Sequence, residues 1–144
     1  MAWPLASQFS SMLQNPRVAF RDSRLRESQV EKLPTGQPKP WSGAFAVVYK
    51  ATDPDGSPFA IRVFTSETPE RRERYGLISE YLKHHQPKCL CQFDYRDEAI
   101  RATDGRWYPV ILMEWIEGDT LYKWVRAHAM SDGRQALGMA AQSW

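Results

Sequence analysis

The stretch Ala44-Phe-Ala-Val-Val-Tyr-Lys-Ala-Thr-Asp-Pro-Asp-Gly-Ser-Pro-Phe-Ala-Ile-Arg-Val-Phe-Thr65 decides the fold. Its first arm, Ala44 to Thr52, holds Phe45, Val47, Val48 and Tyr49, residue types that suit a pleated, half-buried surface. Its second arm, Phe59 to Thr65, repeats that chemistry. Between them stands Asp53-Pro54-Asp55-Gly56. Proline presets one φ angle and glycine is free to take a positive one, so this is a turn. The spacing predicts a β-hairpin or a close variant.

Toward the C-terminus the hairpin is followed by helix signals. Thr68 suits an N-cap, Pro69 the first helical position, and Glu70 the positive end of the helix dipole. Tyr75, Ile78, Tyr81, Leu82 and His85 fall on one side at helical spacing, and Pro87 ends the run. Two strand candidates follow, Cys89 to Tyr95 and Trp107 to Trp115, with a turn at Thr103-Asp104-Gly105. Leu121 to Ala129 reads as helix, and Arg134 to Trp144 as the start of another. Strand, strand, helix, strand, strand, helix with hairpin links implies an α+β fold: a largely antiparallel sheet with one packed helix.

Toward the N-terminus, Leu5, Phe9, Met12 and Leu13 predict a short amphipathic helix that Asn15-Pro16 ends. Val18 to Leu33 is charged and weakly patterned, and Pro34 to Pro40 reads as a linker. The expected division is therefore 1–39 as extension and linker, 40–116 as the compact unit, and 117–144 as the exit from it.

The 144 residues suit one domain, and 42% hydrophobic with 12% aromatic content supplies a core. A formal charge of +2 gives no basic face for nucleic acid. Arg71, Arg72 and Arg74, interleaved with Glu70 and Glu73, read as a solvated helix face. No basic start with an apolar run and no stretch of roughly 20 apolar residues occurs, so no membrane association and a cytoplasmic setting are expected. Cys89 and Cys91 read as buried free thiols, and His84 and His85 as the end of a helix with no third ligand near. No metal site is expected.

Three segments, in order from about Pro40 onward, carry a family resemblance. Trp41-Ser42-Gly43-Ala44-Phe45-Ala46-Val47-Val48 resembles the glycine-rich loop of protein kinases, G-x-G-x-x-G-x-V. Phe59-Ala60-Ile61-Arg62 is similar to V-A-I-K, and Val110 to Leu121, with Met113-Glu114-Trp115-Ile116-Glu117-Gly118, looks like the fifth strand and hinge. The resemblance implies a kinase N-lobe-like five-stranded antiparallel sheet with one packed helix, then the hinge and the first helices of a C-lobe. It implies a nucleotide site in which the loop residues Trp41 to Ala46 cradle phosphate. Val48 and Ala60 would flank adenine, and Arg62 would stand in the lysine position. Met113 becomes the gatekeeper, the Glu114 and Ile116 backbones meet the adenine edge, and Thr120 lies near the ribose.

The departures from that pattern are specific. Trp41 and Ala46 replace two of the three glycines, leaving Gly43. Arg62 keeps the charge of the usual lysine but not its compact geometry. Glu80 has the right spacing for the lysine's partner but falls on the outer side of the helical wheel. Arg74, on the inner side, would face Arg62 only across an anion. The H-R-D and D-F-G segments that orient the hydroxyl and hold Mg²⁺ would come after Trp144, so the chain supplies no catalytic residue and no Mg²⁺ ligand of its own. The expectation is a degraded, non-catalytic ATP-binding lobe, a pseudokinase-like unit with a protein partner. The alternatives are a fragment of an active serine/threonine protein kinase and a scaffold that binds no nucleotide.

Overall fold

A computed structural model describes residues 3–86, 88 and 93–129. Three short helices come first: α1 (Ala6–Leu13), α2 (Pro16–Ala19) and α3 (Ser23–Arg26). Strands β1 (Gln29–Val30), β2 (Trp41–Ser42), β3 (Ala46–Thr52) and β4 (Pro58–Phe64) follow. Then come α4 (Arg71–His85), β5 (Phe93–Arg101) and β6 (Trp107–Glu114). Residues 121–129 are helical and are named α5. The expected strand at Cys89 and the expected helix from Arg134 fall wholly or partly outside the described residues. Among the described residues no helix is long and apolar enough to cross a membrane.

The strands form one antiparallel sheet in the order β1-β3-β4-β6-β5, with β2 also on β3. The fold is α+β, but the sheet has six strands, not five. The extra one arises because β1 and β2 are two short pieces on the same edge of β3. Gln29 and Val30 pair with Thr52 and Ala51, whereas Trp41 and Ser42 pair with Val48 and Val47. The residues between them fold back on themselves. Leu33 N–H donates to the Gln37 carbonyl, Gly36 N–H to that of Leu33, and Lys39 N–H to that of Glu31. The proline-rich segment is thus a hairpin-like insertion in an edge strand.

Alternation gives the sheet two faces. On the first, Val47, Tyr49, Ala51, Phe59, Ile61, Val63, Tyr108 and Val110 share one core cluster with Phe9, Met12, Leu13, Phe20 and Leu25. The composition break at Pro40 is therefore not a break in packing: the N-terminal helices cover this face. Two polar ties fasten them. Ser10 Oγ and Tyr49 Oη lie 2.7 Å apart, and burial pushes the Tyr49 phenol up despite that bond. Arg24 Nη2 meets Asp53 Oδ2 at 2.7 Å in the β3–β4 turn, where Asp53 Oδ1 also accepts from the Asp55 and Ser57 amides.

The second face carries α4. Ala46, Phe64 and Ile111 pack with Tyr75, Phe93, Tyr95, Met113 and Trp3. The inward side of α4 is Arg71, Tyr75, Ser79 and Leu82, not the stripe centred on Ile78 and Tyr81, which are exposed. The helix also begins later than its capping signals suggest. Glu70 caps it in the left-handed region at φ 65°, and Thr68 serves instead as an acceptor for the Arg71 guanidinium. Arg71, only 8% exposed, donates to the Ser66 carbonyl as well and lies 4.1 Å from the centre of the Phe64 ring. Arg72 and Arg74 do form the solvated face, meeting Asp97 and Glu70.

Candidate functional site

The β2–β3 hairpin presents the glycine-bearing loop. Gly43 N–H donates to the Ala46 carbonyl at 2.9 Å, and Thr65 N–H to the Phe45 carbonyl at 3.0 Å, so the tip is pinned to the end of β4. Among the described residues the Ala44 and Phe45 amides donate to no protein acceptor. Gly43 does not need a positive φ; a Cβ there would sit 3.4 Å from the Ala46 carbonyl oxygen. Glycine at this position serves close approach within the turn. Phe45, at the tip, is 72% exposed.

Residues 41–46 enclose, with Val48 and Arg62, a cleft of about 390 Å³. Register accounts for that company. Val48 pairs with Arg62 and Arg62 with Ile111; one row along, Lys50 pairs with Ala60 and Ala60 with Met113. Val48, Ala60, Arg62 and Met113 therefore share the α4 face of the sheet. Arg62 has no carboxylate within ion-pair distance among the described residues; its guanidinium lies 5.6 Å from the Phe64 ring centre. The wheel reading of Glu80 holds: it is outside, bonded to His84 at 3.1 Å. The cation set beside Arg62 is Arg71 and not Arg74, which is exposed and paired with Glu70.

Other expected residues lie apart from this cleft. Met113 and Glu114 line a separate one of about 780 Å³, with Phe59, Leu82, Phe93 and Leu112. Ala60 borders neither and is 2% exposed. Ile116 and Thr120 are exposed in the segment between β6 and α5. Thr120 works as a helix cap, its hydroxyl accepting from Lys123 N–H at 3.3 Å.

Sequence reasoning missed the residues that close the other end. Lys50 Nζ meets Glu117 Oε1 at 2.7 Å, and Trp115 Nε1 donates to the same oxygen at 3.0 Å. The ammonium lies 5.0 Å from the Trp115 ring centre, and that ring lies 6.0 Å from Trp41 at a tilt of 56°. The Lys50 hydrogen bond holds the Glu117 carboxyl below its usual range. Strand alternation alone puts Lys50 beside Val48 on the working face; its partner 67 residues on has no local signal.

Chemically, a free guanidinium and two free amides around one cleft can hold an anion. Among the described residues none of those lining this cleft is a carboxylate, and no cluster of three His, Cys, Asp or Glu is found. Compared with protein-family models, with curated proteins and with solved structures, the chain gives no match.

Proposed function

We propose that this chain is the nucleotide-binding lobe of a protein-kinase-like fold whose site is degraded, binding ATP weakly and contributing little to phosphoryl transfer. The observation that carries the reading is the common face of Val48, Ala60, Arg62 and Met113, with the Gly43 loop at one end and α4 packed on the same face. Those positions lie on adjacent register rows of one face, with Met113 bordering a different cleft from Val48 and Arg62. Degradation is supported by Arg62. It lacks an acidic partner on α4, where Glu80 is turned outward to His84. An active site of this type needs its cation held by such a pair.

A thermal-shift titration with MgATP tests the reading. Ligand that binds only the folded state must raise the Tm by mass action; at about ten times Kd the gain is roughly 1.4 kcal/mol. A rise at millimolar ATP that is lost in Arg62→Ala is expected, and a Tm unmoved by ATP counts against the proposal. A second reading, a scaffold that binds protein and no nucleotide, is favoured by Leu77, Ile78 and Tyr81, which stand exposed on the outer side of α4. The same titration separates the two.

A further inference from the structure

The segment after β6 does something the nucleotide reading does not require. β6 is separated from β3 by β4, so the two strands lie roughly 10 Å apart at the usual spacing. Yet Trp115 and Glu117, just past the end of β6, touch Lys50 on β3 and Trp41 on β2. Their long side chains reach back toward β3 to do so. Lys50, Ala60 and Met113 form one row, and Trp41 and Val48 belong to the next, all on the α4 face by alternation. These side-chain contacts fall at the end of the sheet that carries the Ala60 row. Ala60, with the smallest side chain there, is 2% exposed and borders neither cleft.

We infer that residues 115–117 form an internal plug, in which the Trp115 indole covers the part of the sheet face that a nucleoside base would use and the Lys50–Glu117 ion pair fastens it. An indole is a flat bicycle of nearly purine size, so it can cover the same apolar floor. Two contacts hold it from different directions: the Glu117 carboxylate bonds both the Lys50 ammonium and the indole N–H, and Trp41 packs against the ring. The phosphate end, with Arg62 and the Ala44 and Phe45 amides, stays open. A ligand with a base and a phosphate would meet a free anion site beside an occupied base site. Its apparent affinity falls by the fraction of molecules in which the plug is out. The inference rests on the nucleotide reading for what the plug excludes, but not for the plug itself.

The test separates the two. The Ala60 methyl, isotopically labelled and assigned from Ala60→Gly, is followed by NMR with a soluble nitroxide in the intact chain, in Glu117→Gln and in Trp115→Ala. Each protein is also titrated with MgATP. Both substitutions should raise nitroxide relaxation of Ala60, and Glu117→Gln should tighten ATP about fivefold, the scale of one exposed ion pair. Raised relaxation with no ATP binding in any of the three keeps the plug and sinks the nucleotide reading. An Ala60 signal unchanged in both variants overturns the plug, whatever ATP does.

Discussion

Two single residues have consequences that geometry fixes. Arg71 is buried, yet among the described residues its guanidinium forms no ion pair; it is held by the Ser66 carbonyl, the Thr68 hydroxyl and the faces of Phe64 and Trp3. Arg71→Met keeps the stem but leaves both oxygens unpaired, so a loss of about 1–3 kcal/mol is expected, read as a lower urea midpoint. Arg71→Lys should recover only part of it, because the shorter ammonium lacks the planar face that lies on Phe64 and Trp3. Asp53 has the opposite character. The Arg24 hydrogen bond first, then the Ser57 amide, holds its carboxyl below the ordinary 3.8. A depressed folded-state value means stability present above the unfolded value and lost as pH falls through the folded one. Asp53→Asn should therefore lower the Tm at neutral pH, with the gap to the parent closing as the pH drops below about 4. A gap that stays constant to pH 3 would show that the charge on Asp53 does not matter.

Helix α4 is where sequence periodicity and packing part company. Its apolar residues Ile78 and Tyr81 suggest one face; the buried side is Arg71, Tyr75, Ser79 and Leu82. Two of those four are polar, and each is satisfied in a way only the folded neighbours reveal. Ser79 Oγ accepts from Tyr95 N–H at 3.2 Å on the edge strand, as Arg71 is satisfied at the helix start. A wheel that counts apolar residues cannot see this. Leu82→Ala should cost about 2–5 kcal/mol, whereas Ile78→Ser, at a position 39% exposed, should stay within about 0.5 kcal/mol. Comparable losses from both would restore the wheel's face. The hairpin was legible because its signals are local. Gly56 takes φ 86° as the Asp53–Gly56 turn demands, and that turn fixes every β3–β4 pair. The common face of Val48, Ala60 and Arg62 follows from it. The plug did not, because Lys50 and Glu117 meet only after four intervening elements are in place.

At the scale of the molecule, the N-terminal helices were the hardest part to read. Residues 18–33 are charged and lack a period, yet Ala19, Phe20, Leu25 and Val30 are buried. Their helices are four residues long, too short to show an amphipathic repeat, so their apolar residues look scattered in sequence. Packed together, they and α1 share one core with the first face of the sheet. The unit that looked self-contained from Pro40 onward therefore is not. Without its first 39 residues the sheet would expose Tyr49, Phe59, Ile61, Val63, Tyr108 and Val110, a contiguous apolar surface of the kind that drives association. It would also lose β1 from the free edge of β3. Fragment 40–144 should accordingly fail to give a cooperative thermal transition and should aggregate, while the intact chain should fold and unfold in one step. Within the longer chain, Phe9→Ala should cost about 3–5 kcal/mol, because that ring is fully buried and packs edge-on against Tyr108 at 6.3 Å. A soluble fragment 40–144 with the dispersed NMR spectrum of the parent would mean that the sheet does not need the helices before it, which would then be an accessory layer.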